Sequence, residues 1–183
     1  SQVHSVNNGK ISGDFGNESF DAVIIATDPI TSTKLTGVKN YQGVLPSLTW
    51  YHTTKDSLLD AKYLRINSKG NLVNSVVISN VSSAYAPSGL SLIASTALYN
   101  IGDSELKSEL AKLWGVSTEN WEFVKRYEIT QSLPLRSSSK KVNPKLSEKL
   151  YIAGDHVDVP SQNGAMRSGR RAAIAVIADL NLN

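Results

Sequence analysis

The sequence predicts a mixed α/β (α+β) fold, on three observations. Phe20–Thr27 is a short apolar run rich in β-branched residues, the kind that fills a parallel sheet covered by helices on both faces. The middle of the chain holds runs that alternate or are β-rich, divided by Gly, Asn and Pro, as antiparallel strands are. The end returns to α/β texture with a short strand, a Gly-Asp pair, a loop and a long helix.

In order along the chain, Val3–Ile11 reads as a hairpin about the two-residue turn Asn8-Gly9. Pro29 is expected to end the Phe20–Thr27 strand. Ser47–Thr54, Asn74–Ser82 and Ser91–Leu98 read as strands. Asp103–Trp114 is the clearest amphipathic helix: Leu106, Leu110 and Leu113 recur at helical spacing, Asp103 or Ser104 can cap its start, and Gly115 follows its end. Trp121–Ile129 is another strand, followed by a polar, Ser- and Lys-rich loop from Leu133-Pro134 to about Ser147. Leu150–Ala153 is a short apolar strand, and Gly164–Leu180 a helix with the buried stripe Ala165, Gly169, Ala172, Val176 and Leu180.

Composition narrows the classes of function. With 183 residues, 40% hydrophobic and 19% charged, the chain can bury one core, or one domain with an attached piece of another. Its net charge of +3 is spread along the chain, which argues against a nucleic-acid partner. Zero cysteines exclude disulfides, thiolate catalysis and Cys-based zinc sites, and fit a reducing, cytoplasmic setting. No apolar run reaches the roughly 18 residues that span a bilayer. Met166 is the only methionine, so the chain reads as a fragment lacking its natural start.

The sharpest chemical signal is Gly154-Asp155 at a strand end, then a loop, then Asn163-Gly164-Ala165 opening a helix. A helix start carries unpaired N–H groups and about half a positive charge, so an anionic or electron-rich ligand gains several hydrogen bonds there. Gly164 and Ala165 would keep its approach free of side chains, and Asp155 could accept hydrogen bonds from ligand hydroxyls. On spacing alone, a plain turn with a packing glycine explains the pattern as well.

Other residues carry weaker signals. His52, in a strand, reads as structural. His156 with Asp155 and Asp158 is too loosely spaced to predict a metal. Arg167, Arg170 and Arg171 read as a solvated or salt-bridged helix face, and Trp121 and Tyr127 as core aromatics. Ser137-Ser138-Ser139-Lys140 reads as a flexible loop, and no Ser/His/Asp order supports a hydrolase.

Leu150-Tyr151-Ile152-Ala153-Gly154-Asp155, Pro160-Ser161-Gln162-Asn163-Gly164-Ala165, Ser168-Gly169 and Ala172-Ala173 together resemble the C-terminal signature of the flavin amine oxidase superfamily. That group includes amine oxidases, protoporphyrinogen oxidase, phytoene-desaturase-like and renalase-like proteins. The Phe20–Pro29 run is similar to its strand leading from the FAD domain into the substrate domain. Thr49–Thr53 and Ala86–Leu90 are weaker echoes of its substrate-domain strands.

The resemblance implies FAD as cofactor. Gly154 and Asp155 would lie by its ribityl and pyrophosphate part, and Gln162, Asn163, Gly164, Ala165 and Met166 would line the flavin ring. It implies the C-terminal part of a two-domain FAD-dependent oxidoreductase, with residues 1–29 and 149–183 as remnants of a Rossmann-like FAD domain and 30–148 as a substrate-binding domain. A small-molecule substrate would lose hydride from a C–N or C–C bond to the flavin. The Gly-x-Gly-x-x-Gly unit of such enzymes is missing: Gly13-x-x-Gly16 sits in a polar turn region. Two alternatives stand beside this expectation. One is a non-oxidative flavoenzyme resembling UDP-galactopyranose mutase, the other a binding or structural domain whose turns serve packing only.

Overall fold

A computed structural model describes residues 1–56, 58, 62–136 and 141–182. It is a mixed α/β structure of eleven strands and four helices among those residues, and it divides into two compact units. One consists of residues 1–44 and 133–183, the other of Leu45–Ser132. The 137–140 stretch, expected as a flexible loop, lies outside the described residues.

The discontinuous unit begins with a three-stranded antiparallel sheet, β1 (Val3–Asn7), β2 (Lys10–Gly13) and β3 (Gly16–Ser19). The Asn8-Gly9 turn is present as expected, with φ of 43° and 80°, the doubly left-handed turn that matches strand twist. Gly13-x-x-Gly16 is likewise a turn, joining β2 to β3. A second sheet has the order β10 (Lys145–Ser147), β11 (Leu150–Ile152), β4 (Val23–Ile25). β4 and β11 pair in parallel, Val23 with Leu150 and Ile25 with Ile152. The expected parallel strand is therefore real, but it is shorter than predicted and not buried on both faces: Val23 and Ile25 are buried while Ile24 is 41% exposed.

Pro29 does more than end this strand. It is the first residue of α1 (Pro29–Thr36), and the Asp28 carboxylate accepts from the N–H groups of Ile30 and Thr31, both at 3.0 Å. Asp followed by Pro is a helix-start pair, because Pro has the helical φ and lacks only an N–H that would be unpaired anyway. The last helix, numbered α4 in chain order after two helices of the other unit, spans Gln162–Asp179. Its buried positions are Gly164, Ser168 and Ala172. The expected stripe is thus rotated: Ala172 belongs to it, and Ala165, Gly169, Val176 and Leu180 are half-buried beside it. Tyr151, buried on β11, donates its hydroxyl to Asp179, which also pairs with Lys145 at 2.7 Å.

The Leu45–Ser132 unit is built on a five-stranded sheet in the order β6 (Arg65–Ile66), β7 (Leu72–Val77), β8 (Ser91–Ala97), β5 (Gly43–Thr54), β9 (Glu122–Leu135). Its β6–β7, β7–β8 and β5–β8 pairs are antiparallel, as expected for the middle region. Residues 78–81, predicted as the end of a strand, instead form the short helix α2 (Ile78–Val81). β9 continues through Pro134, which an edge strand tolerates because one row of its backbone groups pairs with no neighbour.

One face of this sheet carries the core. Leu48, Trp50, Leu72, Val77, Ile93 and Ala97 are buried with Leu106, Leu110 and Trp114 of α3 (Asp103–Trp114). α3 matches its predicted span, but Gly102 occupies the N-cap position and Trp114, not Leu113, completes the buried stripe. The Trp114 indole N–H donates to Ser75 Oγ at 3.0 Å, which lies 3.0 Å from Ser95 Oγ, so these three buried side chains satisfy one another. The opposite face is more open. Tyr51 and Tyr127 meet edge to face at 5.9 Å, and with Leu92, Val124 and Lys125 they line a hollow of about 370 Å³.

Candidate functional site

The parallel strands β4 and β11 end side by side, where Ala153 N–H donates to the Ile25 carbonyl at 2.9 Å. Two turns leave from these carboxyl ends, the usual ligand side of an open α/β sheet. From β4 the chain enters α1 at Asp28, and from β11 it passes through Gly154 into a 3₁₀ turn, Asp155–Val157. Gly154 has φ 145°, a conformation that L side chains rarely adopt. A Cβ there would lie 2.5 Å from the His156 ring, so the imidazole occupies the space the glycine leaves free.

Three hydrogen bonds fix the start of α4 against this turn. The Gly154 N–H donates to Ser168 Oγ at 2.8 Å, and that hydroxyl donates to the Ala165 carbonyl at 2.7 Å. Ser161 is the N-cap, accepting from the Gly164 N–H at 3.0 Å. The N–H groups of Gln162 and Asn163 have no partner among the described residues, and both side chains are exposed.

Of the residues expected to bind cofactor, Gly154, Asp155, Gly164 and Ala165 gather about this junction, with Gln162 and Asn163 exposed at the helix start. Met166 is on the same helix and 67% exposed. The Asp155 side chain is 29% exposed, whereas His156 is 2% exposed. Gly164 is buried, and a Cβ on it would fall 1.8 Å from the Val159 carbonyl oxygen, so the close approach of that backbone by itself requires a glycine here.

The residues between the turn and the helix form an ionic lock. Asp158 is 1% exposed and accepts a two-point contact from Arg167, whose Nε lies 3.2 Å away, one from Arg171 at 3.1 Å and one from the Val159 N–H at 2.7 Å. Arg136 donates to its carbonyl. The expected salt-bridged helix face is therefore present at Arg167 and Arg171, and Asp158 is committed to arginines. The Arg167 hydrogen bonds hold the Asp158 carboxyl at about 2, against an ordinary 3.8, with the Val159 N–H and Arg171 adding to an effect that burial opposes. A folded pKa below the unfolded one gives stability that is present above about 3.8 and is lost as pH falls toward about 2. In acid titrations followed by circular dichroism, the stability of the native chain is expected to drop across that window more steeply than that of Asp158→Asn. Parallel curves would show that the pair contributes no such linkage.

Sequence reasoning missed three contributors: Ser161, Ser168 and the burial of His156. Ser161 was readable as a cap just before the helical residues. Ser168 and His156 act through tertiary contacts that carry no local signal. Elsewhere, His52 is 3% exposed on the core face, 6.2 Å from Trp121 and 6.0 Å from Phe123 between ring centres. Burial holds its pKa below the usual histidine range, with Lys107 adding to this and Asp103 opposing it, so it is a neutral core residue. Trp121 is in the core as expected, while Tyr127 is 56% exposed. No helix among the described residues is long and apolar enough to cross a membrane.

No family model matches the chain, and no curated protein matches it. Solved structures do. Reduced UDP-galactopyranose mutase superposes with a TM-score of 0.69 at 16% identity, covering 100% of this chain and 46% of that one. An oxidoreductase from Methanosarcina mazei gives 0.67 at 13% identity, covering 95% and 48%. A putrescine oxidase variant redesigned in its cofactor binding gives 0.61 at 12%, covering 97% and 48%. At these identities the shared property is the fold, and the chain spans about half the length of the structures it matches.

Proposed function

We propose that this chain is the C-terminal part of an FAD-dependent oxidoreductase of the amine oxidase superfamily, which oxidises a C–N or C–C bond of a small molecule. The observation that carries the reading is the junction at Gly154: a parallel strand end, a glycine at φ 145° tied to α4 through Ser168, a part-exposed carboxylate beside it and a capped helix start. These residues fit a flavin. Asp155 offers oxygens to ribityl hydroxyls, and the N–H groups of Gln162 and Asn163, at the positive end of α4, offer donors to an electron-rich ring edge. When bound, the flavin accepts hydride; the chain's own part is to hold and orient it. The Leu45–Ser132 unit then binds substrate, with the Tyr51–Tyr127 hollow on its open face as the natural wall.

Supporting this are the signature from Leu150 to Ala173 and the fold shared with proteins described as oxidoreductases. The fold shared with UDP-galactopyranose mutase keeps a second reading open, a non-oxidative flavoenzyme acting on a sugar nucleotide.

The absorption spectrum of the purified full-length protein tests the proposal. Flavin bands are expected, and a colourless, correctly folded protein would sink it. A melting-temperature increase with a UDP-sugar, absent with amines, would favour the mutase reading. The 183-residue chain alone, without a Gly-x-Gly-x-x-Gly unit, should show no appreciable rise in melting temperature when FAD is added. A clear rise would mean that the junction at Gly154 suffices for binding.

A further inference from the structure

His156 is 2% exposed, and both of its ring nitrogens are sealed from solvent without a hydrogen-bond partner among the described residues. Imidazole always carries at least one N–H, and a buried donor left unpaired is costly, so such a group calls for an acceptor. Asp155 Oδ1 stands 4.0 Å from Nδ1, about 1 Å beyond a hydrogen bond. The ring itself is fixed: it fills the space of the missing Gly154 Cβ, and Gly154 is tied to α4 through Ser168. Asp155 is the movable member, because its side chain reaches the surface. The other charges that act on the ring are Asp28 at the start of α1 and Arg136, whose guanidinium donates to the Asp158 carbonyl. Burial keeps the imidazole neutral, so it carries a single N–H to place.

We propose that His156 is a positioning residue for Asp155: its Nδ1–H takes one carboxylate oxygen and turns the other outward to accept hydroxyls of the bound polyol. The contact closes by rotation of the Asp155 side chain and requires no movement of the strand or the helix. The orphan donor is satisfied only when Asp155 adopts the ligand-facing rotamer, which couples the fit of the ligand to a buried hydrogen bond. The identity of the polyol as the ribityl chain of FAD rests on the function proposed above; the Asp155–His156 contact does not.

Two measurements separate these layers. In ¹⁵N-correlated NMR of the native chain, His156 is expected as the Nδ1–H tautomer, with its ring shifts altered by Asp155→Asn. An Nε2–H tautomer that ignores Asp155→Asn would overturn the contact whatever the ligand is. In the full-length protein, His156→Asn keeps a donor near the Nδ1 position, whereas His156→Gln places it near Nε2. FAD affinity, read by flavin fluorescence, is expected to fall about tenfold in His156→Gln and to stay within about threefold in His156→Asn. Equal losses in both variants, or no loss in His156→Gln, would overturn the positioning role. If the native protein holds no flavin, the proposed function fails and the NMR result still decides the contact. Should His156→Gln fail to fold, the tautomer of the native imidazole decides it as well.

Discussion

Replacing Gly164 with Val is expected to destabilise the discontinuous unit by about 3 kcal/mol, the upper range for overpacking a close contact. The added Cβ would sit 1.8 Å from the Val159 oxygen and 2.9 Å from its carbonyl carbon. Both are backbone atoms, so no side-chain rotation relieves the clash. Either the 158–161 loop or the first turn of α4 must move, and the Ser161 cap and the Gly154–Ser168 bond depend on both. Ala is expected to fail in the same direction, since Cβ alone makes the clash. Gly169 provides the contrast, because a Cβ there meets nothing within 4 Å. Gly169→Ala should be neutral or stabilising by up to about 1 kcal/mol through helix propensity. Chemical denaturation followed by far-ultraviolet circular dichroism measures both, and similar midpoints for the two variants would refute the packing argument.

The second large effect is expected in the other unit. Trp50→Ala should cost about 4 kcal/mol, as transfer of the lost atoms and the cavity left behind add together. Trp50 is 1% exposed and belongs to the same cluster as Ile93, Leu106, Leu110 and Trp114. Tyr127→Ala, at a side chain 56% exposed, should stay within about 0.5 kcal/mol. Trp50, Trp114 and Trp121 are the only tryptophans in the chain, and all three lie in this one core. Intrinsic fluorescence therefore reports the Leu45–Ser132 unit, and the loss at Trp50 should appear in the midpoint read from Trp114 and Trp121. An unchanged fluorescence midpoint would contradict the assigned core.

What the sequence disclosed follows from how local each cause is. The Asn8-Gly9 hairpin, α3 and the strands of the middle sheet are written in turn residues and in periodicity, which act over a few positions. The start of α1 was equally local, in the Asp28-Pro29 pair, but the apolar run before it drew the reading toward a strand end. Burial of particular faces was not legible. Ile24 and Val23 have nearly the same side chain, yet only the sheet's neighbours decide which of them meets solvent. The same limit governs the candidate site. Gly154, Asp155 and the helix start could be placed from their order, while the true partner of Gly164 and the burial of His156 depend on how the loop from Val157 to Ser161 folds back on α4. A glycine in a motif does not say whether the space it leaves belongs to a ligand or to a carbonyl.

The parallel pairing of Val23–Ile25 with Leu150–Ile152 carries a consequence for biosynthesis. The whole Leu45–Ser132 unit is translated between these two strands. On the ribosome, the first strand must wait for its parallel partner until Leu150–Ile152 emerges, while the intervening unit already has every contact of its own core available. The junction at Gly154 therefore forms only after the whole intervening unit has been synthesised. A ligand that binds there would engage only chains whose synthesis has passed α4.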